Sequence, residues 1–182
     1  MRQYRRFCIV EYAPEEYTKH YIVTALFKLM NEYDYTKISV SDIAKKAGVG
    51  RATFYRHFKN KEDIIEFYFT HNTKEFRFEQ KYYPRCKDDY IKIVRSVFEK
   101  FKINMDCFKL IKKAHLEYLY LNFLNSNLVS TFQQEYKANN IYAPYLYAGM
   151  VFNISMAWLE NDCSDSIDEL AKMIVNAIYF EQ

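Results

Sequence analysis

Glycine and proline are scarce in this chain of 182 residues, three of each. Both interrupt regular structure, so few positions force a long helix to stop. Sustained alternation of apolar and polar residues is missing too, which argues against a half-buried sheet. Four cysteines (Cys8, Cys86, Cys107, Cys163) form no CxxC pair, and four histidines (His20, His57, His71, His115) form no HxxxH cluster. No zinc motif or disulfide framework is therefore expected, and a reducing compartment fits best. Long apolar runs are also lacking. The basic first six residues are followed only by Phe7–Val10 before Glu11, too short for an export signal. The stretch Tyr145–Leu159 is broken by Asn153 and Ser155 and falls short of a membrane span. A cytoplasmic protein with no membrane partner is the expectation. Nor is there a glycine-rich phosphate loop, a nucleophile–base spacing or a carboxylate pair in a recognisable context. The sequence points away from an enzyme, and no metal or cofactor is expected.

What is present is helical periodicity. Half the residues are apolar, enough for a real core. Apolar residues recur at three-and-four spacing almost throughout, so the fold class is all-α with about nine helices. After Pro14 a first helix runs from about Glu15 to Tyr33, with the stripe Ile22, Ala25, Leu26, Leu29, Met30. Ser39 with Asp42 makes a capping-box-like start for a second helix, whose inner face is Ile43, Ala44 and Ala47. Gly48 supplies the positive-φ position past its end. Gly50 opens a short third helix, Arg51 to His57 or Phe58. Asn60 with Asp63 caps a fourth, expected to reach about Lys81. Beyond Pro84, helices are expected near Asp88–Ile103, Cys107–Phe123 and Leu128–Ala138. Asn139, Asn140 and Pro144 introduce another, to about Asn161. The last starts at Ser166, where Ser166 and Glu169 form a capping box, and carries Leu170, Met173, Ile174, Ala177 and Ile178.

Charge is unevenly placed. Residues 1–61 hold 12 Lys/Arg against 6 Asp/Glu, whereas residues 62–182 hold 14 against 17. A positive excess gathered at one end suits a polyanion partner. Two of the three glycines fall in one short turn between two short helices, the composition of a helix-turn-helix over Ser39–Phe58. At 100° per residue Phe54 and Phe58 point inward, leaving Ala52 and Arg56 outward, with Thr53 and Tyr55 on the flanks, His57 at an edge and Arg51 at the start. Arg56 has the geometry for a bidentate contact to guanine, Ala52 for a thymine methyl, and Thr53 and Tyr55 for phosphate oxygens. Lys61 adds charge at the start of the fourth helix. The arm Arg2, Arg5, Arg6 is either a groove contact or a solvated terminus.

The segment from Ser39 to Asp63 closely resembles the DNA-binding signature of the tetracycline-repressor (TetR) family, and the resemblance extends over about Tyr17 to Phe69. Its carriers are the Ala-Gly-Val turn, the Thr-Phe-Tyr-x-His-Phe core and the Lys-x-Lys-Glu opening of the fourth helix. Gly50 departs from the serine more usual there. The resemblance implies a three-helix DNA-binding domain, residues 1–61, and a helical ligand-binding and dimerisation domain, residues 62–182. It implies a homodimer on a palindromic operator in double-stranded DNA, with Ser41, Arg51, Ala52, Thr53, Tyr55, Arg56, His57 and Lys61 at DNA-touching positions. The family's last two helices commonly form the dimer interface, and Tyr142–Phe180 resembles that pair. The helix over Tyr145–Leu159 is apolar nearly all round, so it needs cover on both sides. Gly149, Phe152, Met156, Trp158, Met173, Ile174 and Ala177 are the expected interface residues.

Residues 62–182 hold 23 aromatics, among them Phe98, Phe101, Phe108, Tyr118, Tyr120, Phe123, Phe132, Tyr136 and Tyr147. They suit a cavity for a small apolar or aromatic ligand, and equally a packed core. His115 is open to the same two readings. A ligand-responsive repressor is the main expectation; the alternative is an activator or co-regulator working through protein contacts of the second domain.

Overall fold

The computed structural model describes residues 16–72, 86–135 and 141–178. The Arg2, Arg5, Arg6 arm, the extension of the fourth helix towards Lys81, Pro84 and the Asn139–Asn140 link lie outside the described residues, as do the side chains of Phe132 and Tyr136. The elements are α1 (Tyr17–Glu32), a 3-10 turn (Tyr35–Lys37), α2 (Val40–Ala47), α3 (Arg51–His57), α4 (Glu62–Asn72), α5 (Lys87–Ile103), α6 (Met105–Lys113), α7 (Glu117–Glu135), α8 (Ala143–Glu160) and α9 (Ile167–Ile178). Among the described residues there is no strand. The fold is all-α, and no described helix is long and apolar enough to cross a membrane.

The described residues fall into two compact units, one of 16–72 with 110–123, the other of 86–109 with 124–135 and 141–178. The first is thus wider than the basic 1–61 segment. In it α1 buries the anticipated stripe and, in addition, Val23 and Phe27. The stripe is wide because α1 packs against both α2 and α4. Phe27 meets Tyr68 of α4 edge-on at 4.8 Å. Phe69, next along α4, meets Tyr120 and Phe123 of α7 at 5.4 and 5.8 Å. Each fully buried aromatic of this set is worth roughly 1.5–3 kcal/mol in burial, and together they fasten α4 to α1 and α7.

The chain between residues 104 and 135 is divided differently from the expected Cys107–Phe123 and Leu128–Ala138. Helix α7 runs straight through Asn125, Ser126 and Asn127, and the break falls earlier, at His115. There φ is +56°. The N–H of His115 donates to Lys112 O at 3.0 Å and that of Leu116 to Ile111 O at 3.0 Å. This pair of bonds closes a helix end around a left-handed residue. The same closure ends α8, where Asp162 (φ +50°) donates to Leu159 O and Cys163 to Trp158 O.

In the second unit α5 packs along α9. Phe98 meets Trp158 edge-on at 5.5 Å, and Phe101 lies 4.1 Å from Phe108. Arg95 pairs with Asp168 at 2.7 Å, an exposed ion pair of small worth. Trp158 and Ile174, expected at the surface for a second chain, are instead buried inside this unit. The reason is local: Phe98 and Phe101 of α5 cover the indole, and α9 turns Ile174 inward with Ala171 and Val175. The capping arm expected at Ser166 is long, with Glu169 N–H at 3.5 Å from Ser166 Oγ.

Candidate nucleic-acid interface

Each end of the helix-turn-helix is set by short-range chemistry. At the start of α2, Ser39 N–H donates to Asp42 Oδ2 at 2.9 Å and Asp42 N–H donates to Ser39 Oγ at 3.2 Å. Two donors from Ser39, hydroxyl first and then N–H, hold the Asp42 carboxyl below the usual carboxylate range. At the other end Gly48 adopts φ +71° and its N–H and that of Val49 close α2 on Lys45 O and Ala44 O. Gly50 is different. Its backbone is extended (φ −75°, ψ 154°), so any residue fits there, and it offers α3 no side-chain cap. Helix α4 is capped as anticipated: Asp63 N–H donates to Asn60 Oδ1 at 2.8 Å, and Lys59 N–H to Asp63 Oδ2 at 2.7 Å.

Helix α3 is anchored by its two phenylalanines. Phe54 is fully buried and Phe58 is 4% exposed. Their rings lie 6.1 Å apart, and Phe58 meets Phe67 of α4 edge-on at 5.6 Å. With that face fixed, the helical period turns Arg51, Ala52, Tyr55 and Arg56 out into solvent, with Thr53 and His57 half-buried beside them. Ser41 is exposed on α2. Among the described residues neither Arg51 nor Arg56 is engaged by an acid. The result is a short row in which a small residue, two cations and a phenol stand on a rigid aromatic base. Such a row matches the donors and the close approach that a base edge and its phosphates require. Burial, then the positive charges of Arg56 and Lys19, push the His57 imidazole below its ordinary value.

Lys61 is placed otherwise. It is half-buried, and its ammonium donates to Tyr35 O at 2.9 Å and Ile38 O at 2.8 Å. It also sits 4.1 Å above the Tyr35 ring. Tyr35 hydroxyl donates to Glu62 Oε1 at 2.7 Å. Burial, and then the Glu62 carboxylate that accepts this bond, push the phenol well above its ordinary value. Sequence reasoning missed Tyr35 and Glu62, because nothing local marks a contact spanning 27 positions.

Residues 22–66 match the sequence profile of the family described as bacterial regulatory proteins, tetR family. Over that segment the chain is similar to the tetR family. The matched segment contains α2 and α3 whole, with parts of α1 and α4, and so takes in the helix-turn-helix, a DNA-binding type of domain. An HTH-type transcriptional regulator of Staphylococcus aureus strain USA300 is 33% identical over 93 residues, 50% of this chain and 46% of that protein. The chain therefore spans about half the length of the curated relatives it matches. Among solved structures, Lin0861 from Listeria innocua is similar with a TM-score of 0.76 and 20% identity, covering 94% of this chain and 95% of that one. The regulator FadR from Bacillus subtilis, solved with stearoyl-CoA, is similar with a TM-score of 0.55 and 24% identity over 86% and 95% of the two chains. The dihydroxyacetone kinase operon activator DhaS gives 0.52 and 25% over 88% and 93%. The first two likenesses bear on fold alone.

Proposed function

We propose that this protein is a transcriptional regulator of the tetR family, a ligand-responsive repressor working in the cytoplasm as a homodimer on a palindromic operator. The observation that carries the DNA-reading part is the exposed row Arg51, Ala52, Tyr55, Arg56 on α3, fixed from behind by Phe54 and Phe58. In this reading Arg56 donates bidentately to a guanine, Ala52 takes close apolar contact, and Arg51, Thr53, Tyr55, His57 and Ser41 hold phosphates or flank the groove.

One short helix reads too few base pairs, so a second copy is needed. The buried Trp158 and Ile174 shift the proposed contact to residues that remain open. On α8 these are Tyr145, Leu146 and Asn153, with Gly149, Phe152 and Met156 half-exposed beside them; on α9 they are Met173 and Ala177. Asn153 Nδ2 donates to Gly149 O at 2.8 Å, so one of its donors is used within the helix.

A ligand is supported by the aromatic second unit and by the fold shared with a protein solved with stearoyl-CoA. A small molecule with a long apolar part is the class to try first. Its binding would change the separation of the two α3 helices and so weaken two-site binding. The fold shared with an operon activator favours keeping activation as the second reading. Fluorescence anisotropy against duplexes enriched from random DNA tests the proposal. Binding should weaken steeply with salt and by about 1–3 kcal/mol on Arg56→Ala; binding indifferent to both would refute it. A reporter gene under the enriched site then separates repression from activation.

A further inference from the structure

Three side chains tie together the two ends of the helix-turn-helix. The Lys61 ammonium reaches the carbonyls of Tyr35 (2.9 Å) and Ile38 (2.8 Å), which lie just before the Ser39 cap. The Tyr35 ring covers the same ammonium at 4.1 Å, and its hydroxyl returns to Glu62 at 2.7 Å. Lys61 and Glu62 stand where the chain leaves α3 and begins α4. The segment 39–58 is thus pinned at both ends to one cluster. Two of the three ammonium donors are used on carbonyls, and a ring occupies a further side. To serve a phosphate with full strength, this lysine would have to give up partly buried, charge-assisted bonds.

We propose that Lys61, Tyr35 and Glu62 form a clasp that closes the helix-turn-helix and sets the pose of α3 for the groove, Lys61 being a positioning residue and not a phosphate contact. The inference rests on the DNA-binding reading. Its physical basis is preorganisation. Without the clasp, the start of α2 is held near the start of α4 mainly through buried apolar contacts, which are non-directional, while the Asn60 and Asp63 cap fixes only the α3 end. An α3 free to rock loses more freedom on docking, and affinity falls accordingly. Because the clasp spends no charge on DNA, the number of counterions released is unchanged.

The test compares wild type, Lys61→Met, Lys61→Arg, Tyr35→Phe and the Lys61→Met/Tyr35→Phe double variant. The probe is a duplex enriched from random DNA, and affinity is read between about 50 and 200 mM salt. The temperature is one at which circular dichroism shows every variant folded. The clasp predicts an affinity loss of about tenfold for Lys61→Met. It predicts a smaller loss for Tyr35→Phe, a double variant no worse than Lys61→Met, and partial rescue by Lys61→Arg. The slope of log affinity against log salt should stay at the wild-type value in all of them. A slope shallower by about 0.9 in Lys61→Met would instead make Lys61 a phosphate contact and overturn the proposal. Unchanged affinity with only a lower melting temperature would reduce the cluster to a stability element and also overturn it. Should Lys61→Met not fold, Tyr35→Phe, which keeps the ring, decides on the same readouts. A wild type that binds no duplex would bring down the DNA-binding reading itself, a result distinct from either.

Discussion

Arg56 and His57 are adjacent on α3 but differ in what they can give to DNA. Arg56 is exposed, permanently charged and carries a planar fork of donors. Arg56→Ala should cost about 1–3 kcal/mol of operator affinity and relax specificity at one base pair, while the melting temperature stays near that of wild type. Arg56→Lys, which keeps the charge and loses the fork, should recover non-specific binding but not specificity. His57 is half-buried, and burial with the nearby Arg56 and Lys19 lowers its folded pKa below 6.5. The unfolded chain therefore takes up a proton first as pH falls. The contribution of His57 to stability is complete above about pH 6.5 and is eroded below it. Beside a phosphate the protonated form is favoured, so lowering pH from neutrality should raise operator affinity while lowering stability. His57→Gln should flatten both trends in parallel titrations of binding and melting.

Among the helices, the ends are what local sequence chose and what it concealed. Gly48 and Gly50 look alike in sequence but sit in different backbone: φ +71° at the first, an extended conformation at the second. No atom lies within 4 Å of a Cβ built on either, so substitution there is a matter of backbone and cap alone. Gly48→Ala should destabilise by about 1–2 kcal/mol, the cost of a left-handed L-residue. Gly50→Ser should stabilise by a few tenths of a kcal/mol by adding the missing cap. Denaturant melts of the two variants test this opposite sign. The α1 stripe, the Ser39 and Asn60 caps and the inward Phe54 and Phe58 were legible, because each depends on neighbours within four residues. The α6–α7 break was not. With so few glycines, the chain ends α6 and α8 on His115 and Asp162, residue types that enter the left-handed region without announcing it. The clasp was illegible for another reason: Lys61 and Tyr35 are far apart in sequence, and a lysine at a helix start equally fits a solvent or phosphate role.

The proposed assembly depends on faces left open by the second unit. Periodicity showed that α8 is apolar all round but not which side its own unit covers. Packing of Trp158 against Phe98 and Phe101 decides that, and leaves Leu146 70% exposed and Met173 54% exposed. Leu146→Arg should therefore convert a dimer to a monomer in sedimentation experiments without unfolding it. Operator affinity should then fall by about a hundredfold or more, since the second half-site no longer binds as part of the same molecule. The measurement that bears most directly on the central claim is selection of bound duplexes from a random DNA pool by the wild-type protein, with Arg56→Ala selected in parallel. A palindrome is expected, with half-sites separated by about one helical turn or a multiple of it, enriched by wild type and not by the variant. Enrichment of no sequence, or of the same sequences by both proteins, would contradict the assignment of α3 as the reading helix.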